Sequence, residues 1–388
     1  MVPEGWAINK IEDILVRVVD PVDVDPNTYY EQIGIRSHGK GVFYKEAVSG
    51  KRLGNKRVFW IKPNCFIVNI VFAWEQAVAR TTDHEVGKIA SHRFPMYQPK
   101  PGQADVDYLV HFFKTPRGKY LLELASPGGA GRNKTLGQKE FANLRFPMPT
   151  ELEQKKIARI LSTWDKAIET VEKLIENSKA QKKTLMQQLL TGKRRLPGFD
   201  GKWKFTSFRE LFKLANDKTK QVKKSDYEES GDFPVVDQGK KMIAAYVNSS
   251  APYSDIPVIV FGDHTRIVKW VDFHFVPGAD GTQLLKTTGK LDLRFAYFLL
   301  SNATLPNLGY SRHMRELKEK EFKYPCSLYE QKAIARILEI AEQYAQRGEG
   351  LLKMLQAEKK ALMQQLLTGR RRVRVEDHQR MKGYGISN

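Results

Sequence analysis

At 388 residues the chain is long for a single core, and length alone favours two or more domains. Its 64 Lys and Arg against 44 Asp and Glu give a net charge of +20, which points to a polyanionic partner, because each cation placed on a phosphate releases condensed counterions. No apolar run approaches the ~20 residues of a membrane span, no basic and apolar leader opens the chain, and Cys65 and Cys326 are the only cysteines; membrane insertion, a disulfide framework and a paired-cysteine zinc site are excluded, and a soluble, cytoplasmic protein is expected.

Residues 1–150 read as a first globular stretch. It opens with Trp6-Ala-Ile-Asn-Lys-Ile-Glu-Asp-Ile, whose phase predicts a short amphipathic helix, and continues with apolar β-like runs at Val58 to Ile61 and Phe66 to Trp74. A glycine-containing loop, a short helix and Pro147 close it. Residues 151–192 then form one long helix: Ile157, Leu161, Trp164, Ile168, Leu185 and Leu189 lie on a seam of alternating four- and three-residue steps. It stops at Thr191-Gly192, with glycine as the left-handed cap, and Lys193, Arg194 and Arg195 follow where cations complement the helix dipole and could touch phosphates or a partner subunit. Residues 193–202 are a linker.

The second stretch, residues 203–326, opens on Trp203-Lys-Phe-Thr-Ser-Phe-Arg-Glu-Leu with the same helix-like phase. Its β-like runs are Val258 to Phe261 and Ile267 to Val276, and it closes with a loop, a short helix and Pro325. Residues 327–369 make a second long helix with Ile334, Leu338, Leu352, Leu362 and Leu366 on its seam; Gly348 and Gly350 mark a bend or a close helix contact. A basic tail, residues 370–388, begins with Arg370, Arg371 and Arg372, matching the first triplet in place and role.

The two helices are copies. Glu-Gln-Lys-x-Ile-Ala-Arg-Ile-Leu starts at Glu153 and at Glu330, and Leu-Met-Gln-Gln-Leu-Leu-Thr-Gly-Lys/Arg starts at Leu185 and at Leu362; both displacements are 177 (330 − 153 and 362 − 185), so nothing has been inserted or lost between the motifs. The length of the helix is therefore constrained. The opening tryptophans are displaced by 197 (203 − 6), so the first globular stretch carries about 20 more residues than the second. The long connection between the helices favours an antiparallel pair. Half of the surplus positive charge lies on the helices and their tails.

A chain ordered as variable stretch, fixed helix, variable stretch, fixed helix, with both helix motifs present twice, closely resembles the specificity subunit of type I restriction-modification systems. The resemblance spans the whole chain. It implies an α+β protein with two small mixed α/β target recognition domains, separated and followed by long helices that pair as an antiparallel coiled coil. It further implies a non-catalytic subunit that reads a bipartite, asymmetric site in double-stranded DNA and assembles with two methyltransferase and two restriction subunits. S-adenosylmethionine, and ATP with Mg, would then belong to those partners, with no cofactor and no metal on this chain.

Three loops in each domain are candidates for DNA contact, because Arg and Lys can pair with guanine and Gln or Asn with adenine in the major groove. In the first domain they carry Arg36, His38 and Lys40, then Arg80 beyond Trp74, then Arg132, Asn133 and Lys134. In the second they carry Gln238, Lys240 and Lys241, then His264 and Arg266, then Tyr310, Arg312, His313 and Arg315. Phosphate contacts should outnumber base contacts among them.

Enzymatic readings are weaker. The loop from Gly128 to Thr135 imitates a phosphate-binding loop but has Asn133 where glycine should precede lysine. Asp25-Pro26-Asn27 faintly resembles an amino-methyltransferase motif and reads better as a turn. Asp263 with His264, or Asp272 with His274, lacks a third metal ligand at useful spacing, and Asp83, Glu85 and Lys88 make no convincing nuclease cluster. A stand-alone nuclease or methyltransferase with an unrecognised site is the alternative function.

Overall fold

The computed structural model describes residues 2–128, 134–248, 251–306 and 311–374. These divide into two compact units: one holds the described residues up to Thr170 together with those from Leu351 onward, the other holds Val171–Gly350. Each unit thus combines one globular stretch with the start of one long helix and the end of the other.

In the first unit β1 (Ala7–Lys10) and β2 (Leu15–Val18) flank a single helical turn, so the segment read as a helix is largely extended. The correction has a simple cause. β1 pairs antiparallel with β8 (Arg145–Met148), the strand that leads into the long helix, and that ladder outweighs a marginal four-residue helix preference. Between them lie β3 (Ile33–Ile35), β4 (Val42–Tyr44), β5 (Phe66–Val68), β6 (Val78–Arg80), β7 (Met96–Pro99), α1 (Val106–Phe113), α2 (Pro116–Leu124) and α3 (Gln138–Ala142). The main sheet is fully antiparallel in the order β2-β7-β5-β6. Its strand β5 is buried on both faces because alternate residues serve different cores: Phe66 and Val68 pack with Phe112, Phe113 and Phe141 beneath the helices, while Ile67 joins Ile33, Ile35 and Met96 on the other side. Burying each such side chain contributes about 1.5–3 kcal/mol.

The long helix α4 (Glu151–Leu189) leads to the second unit, which repeats this plan. It contains β9 (Trp203–Ser207), β10 (Phe212–Leu214), β11 (Phe233–Val236), β12 (Val258–Gly262), β13 (Val268–Val271), β14 (Thr282–Thr287), α5 (Leu293–Ser301), α6 (Met314–Lys318) and β15 (Glu321–Pro325). Again the opening segment is a strand, β9, paired antiparallel with the closing strand β15. The sheet order β10-β14-β12-β13 matches that of the first unit strand for strand. The alternation recurs in β12, where Ile259 and Phe261 face the helices and Val258 and Val260 a smaller core.

The second long helix, α7 (Leu328–Leu366), has the same 39 residues as α4. Within each unit the two helices run antiparallel. In the first, Asp165 pairs with Lys359, and Ile157 and Leu161 share a core with Leu366, Leu367 and the partly buried Leu362. In the second, Lys182 pairs with Glu342 at 2.6 Å, Lys179 with Glu349 at 2.6 Å, and Leu189 with the partly buried Leu185 shares a core with Ile334 and Leu338. Trp164, Ile168 and Leu352 are half-buried. Gly348 permits close approach: a Cβ there would lie 2.8 Å from Ile175 Cγ1, whereas one at Gly350 would meet nothing.

Candidate DNA interface and the helix sockets

The two helix motifs resolve into sockets. Glu153 and Gln154, adjacent in sequence, are both buried at the start of α4. Arg372, in the tail beyond α7, donates Nε to Glu153 Oε1 at 2.7 Å and Nη2 to Oε2 at 2.6 Å, a bidentate pair. Gln154 donates Nε2 to the carbonyl of Pro149 at 2.9 Å and accepts from the amide of Asp105, the N-cap of α1, at 2.9 Å. The second unit repeats every part. Arg195 grips Glu330 with bonds of 2.7 and 2.9 Å, and Gln331 donates to Pro325 while accepting from the amide of Asp292, the N-cap of α5. Thus the third basic residue of each triplet is committed inside its own unit, while Lys193, Arg194, Arg370 and Arg371 are exposed. Sequence reasoning assigned no role to Glu153, Gln154, Glu330 or Gln331; their survival in both copies was the available signal.

The loops expected to meet DNA converge in each unit through backbone-directed bonds. In the first, the β3–β4 turn uses left-handed conformations at His38 (φ 58°) and Gly39 (φ 63°). It docks on the turn after β5: the amide of His38 donates to the Glu75 carbonyl at 2.6 Å, that of Gly39 to the Gln76 carbonyl at 2.9 Å, and Ser37 Oγ to Glu75 Oε2 at 2.7 Å. Gln76 in turn donates Nε2 to the Phe113 carbonyl at 2.9 Å, anchoring both turns on the end of α1. Lys134 lies 5.7 Å from the Trp74 ring, which adds the third loop. Arg36, His38 and Lys40 are left exposed, with the Arg36 guanidinium 5.2 Å from the Phe43 ring. Arg80 departs from this group. It stands at the other end of the β5–β6 hairpin and pairs with Asp107.

In the second unit Gln238 is a hub rather than a free reader. Its Oε1 accepts from the amide of His264 at 3.1 Å, its carbonyl accepts from Thr265 Oγ1 at 2.6 Å, and a Cβ on Gly262 or Gly281 would collide with it. The loop after it is held by buried Lys269, whose Nζ donates to the carbonyls of Asp237 and Lys241 at 2.6 Å each; burial pushes that ammonium below its usual pKa. Lys240 and Lys241 themselves are exposed. Arg266, left-handed at φ 61°, donates Nη1 to the Leu305 carbonyl at 3.2 Å and so ties down the third loop, and His264 Nε2 lies 3.8 Å from Asp280.

His313 requires a correction. It is fully buried, its Nδ1 lies 2.9 Å from the Asp263 carbonyl and its amide donates to the same carbonyl at 2.8 Å, so it brackets two loops from within and has no surface to offer DNA. The residues on either side, Arg312 and Arg315, are exposed and line a shallow groove of about 370 Å³ with Arg209 and Lys318. Arg132, Asn133 and Tyr310 lie outside the described residues, as does most of the glycine-rich loop before Lys134. Asp25 is a turn former, accepting from the Asn27 amide at 2.9 Å and from Thr28 Oγ1 at 2.7 Å. Asp83 and Glu85 belong to a 3-10 turn capped by Thr82. Among the described residues no cluster of three or more His, Cys, Asp or Glu is placed to hold a metal, and no helix is long and apolar enough to cross a membrane.

A frame built twice from one plan, with a socketed helix in each copy and different cation-bearing loops gathered at one end of its hairpins, defines a duplicated recognition protein. A family profile described as the type I restriction modification DNA specificity domain matches residues 39–177 and 200–347, well over half the chain. The chain belongs to this family: it is a specificity subunit of the type I restriction-modification class, whose work is DNA sequence recognition. Among its relatives is the putative type I restriction enzyme MjaX specificity subunit of Methanocaldococcus jannaschii, 22% identical over 425 residues that cover 96% of this chain and 95% of the relative. The fold is shared with the S subunit of a type I restriction-modification system from M. genitalium, at a TM-score of 0.66 and 15% identity, covering 94% of this chain and 99% of that one. A further chain of the same fold, with a TM-score of 0.54, 17% identity and coverage of 95% and 98%, comes from a structure whose subject is complex assembly and conformational transition of the type I system.

Proposed function

We propose that this subunit reads a bipartite, asymmetric site in double-stranded DNA, one half per domain, and seats two methyltransferase subunits, which restriction subunits then join. The observation that carries the reading is the contrast between frame and loops. Sheet order, Glu–Arg sockets and Gln–N-cap ties are the same in both units, so a partner that fits one frame fits the other. The loops differ in sequence and in their bonding, so they suit different bases. Arg36, His38, Lys40 and Lys134 in the first domain, and Lys240, Lys241, Arg312 and Arg315 in the second, are the side chains best placed to reach DNA; Gln76 and Gln238 position their loops. On this reading the chain itself carries no S-adenosylmethionine, ATP or metal site, and its partners supply that chemistry.

The test exchanges residues 1–150 for the corresponding domain of another family member and sequences the methylome of cells carrying the hybrid with its methyltransferase. One half of the modified motif should change and the other stay. A change in both halves, or methylation by the purified chain alone, would overturn the reading.

A further inference from the structure

The first unit carries a groove of about 810 Å³ between the start of α2 and the paired parts of α4 and α7. Five cations line it, Lys114, Arg117, Lys359, Lys360 and Arg370, and no carboxylate is among its lining residues. Asp165 is engaged by Lys359 and lies 3.9 Å from His111 Nε2, which leaves Arg117, Lys360 and Arg370 as the exposed cations of the groove. The floor is apolar: Phe112, Ile168, Met363 and Leu367. The N-terminus of α2, with Thr115 as its cap and Pro116 in its first turn, adds the positive end of a nine-residue helix.

The second unit has no counterpart of α2 among its described residues, since α5 ends at Ser301 and the next helix, α6, begins at Met314. The hollow near the end of its own helix, lined by Leu190, Thr191 and Leu299, measures about 360 Å³. Where the first unit has Lys359 beside Asp165, the second has Lys182 beside Glu342, with Arg294 also spent on that carboxylate at 3.0 Å. Among the described residues, the first unit's groove sets the exposed Arg117, Lys360 and Arg370 over an apolar floor, while the second unit's hollow carries Glu321 beside Lys320 and Lys323.

We propose that this groove is a docking site for an acidic amphipathic segment of a partner protein, bound once per chain. Charge complementarity selects the acidic side. The floor selects a protein segment over duplex DNA, whose outer surface of phosphate and sugar has no apolar face to bury on it. The size agrees: two turns of helix, a cylinder ~10 Å wide and ~11 Å long, occupy about 850 Å³. Such a partner distinguishes the two ends of an otherwise duplicated frame. The inference is separable from the DNA reading through Arg117 and Lys360, which are placed in no reading loop, whereas Lys114 packs against Gly39 of one and Arg370 belongs to a basic triplet offered above for phosphate or partner contact.

The experiment uses the full-length chain and a fluorescein-labelled synthetic amphipathic peptide with Leu and Phe on one face and Glu on the other, followed by anisotropy. Two control peptides replace every Glu by Lys or every apolar residue by Ser. The acidic amphipathic peptide should bind at least about tenfold more tightly than either control, and R117E with K360E, both at exposed positions, should weaken it by about tenfold or more. Binding of duplex DNA by that variant should be unchanged within about twofold, which separates failure here from failure of the DNA reading. Equal binding of the three peptides, indifference to the charge reversals, or displacement of the peptide by a short duplex would each overturn the proposal. So would binding that appears only after removal of residues 375–388, which would make the chain's own tail the occupant.

Discussion

Glu153 and Glu330 are buried carboxylates whose partners arrive from residues more than a hundred positions away, and the asymmetry of exposure in the pair predicts an asymmetry of mutants. The Glu153 side chain is 3% exposed and that of Arg372 44%. Arg372→Ala strands a charge without water, whereas Glu153→Gln leaves a guanidinium that solvent can still reach. Arg372→Ala should therefore lower the stability of the full chain by about 2–4 kcal/mol and Glu153→Gln by about half of that, read from urea midpoints at constant slope; the reverse order would count against the socket. A second residue-scale prediction concerns pH. Burial first, then Lys114 and Lys359, push His111 down to about 4, against roughly 6.5 in an unfolded chain. With the folded value below the unfolded one, the unfolded state binds more protons in between. The contribution of His111 is thus complete above about pH 6.5 and drains away as pH falls toward 4, by up to about 3 kcal/mol. His111→Phe, the residue type at the matching place of α5 (Phe298), should flatten that acid limb; an unchanged limb would assign it to other groups.

At the scale of elements, the long helices are held by tertiary burial more than by propensity. Gly348 and Gly350 sit two residues apart in α7 and face opposite circumstances. Gly350→Ala meets open space and should stabilise by about 0.5–1 kcal/mol through helix propensity alone. Gly348→Ala must displace Ile175 and should be neutral or destabilising despite the same propensity gain. Thermal midpoints of the two variants, measured side by side, check the contrast, and equal shifts would remove the close-contact role of Gly348. The opening segments teach the complementary lesson. Ile8 to Ile14 has a helical phase, yet only a single turn, Ile11–Ile14, is helical, since a strand pairing with β8 satisfies a row of backbone groups that a short isolated helix would leave to water.

At the scale of the whole molecule, the unbroken displacement of 177 makes helix length the quantity that the two copies share. Adding one heptad to α4 and one to α7 at matched positions lengthens each by about 10.5 Å, close to three base pairs of duplex. If the paired helices set the distance between the half-sites of the bipartite site proposed above, the spacer between them should grow by that amount with both half-sites unchanged; a spacer that does not move would show that helix length does not set it. What the sequence determined by itself was the repeated plan: copied helices, antiparallel pairing, a glycine cap and basic triplet at each end, and two related but divergent domains. These were legible because they rest on local periodicity, short-range capping and an internal copy that serves as its own control. What only the tertiary structure decided was which charges are free. Arg195, Arg372, Arg80 and Arg266 look like Lys240 or Arg312 in sequence, yet the first two fill glutamate sockets, the third pairs with Asp107 and the fourth ties a loop. His313 and Gln238 likewise turned inward. A side chain's partner is set by which distant residue the fold brings within ~3 Å, and no spacing along the chain records that distance.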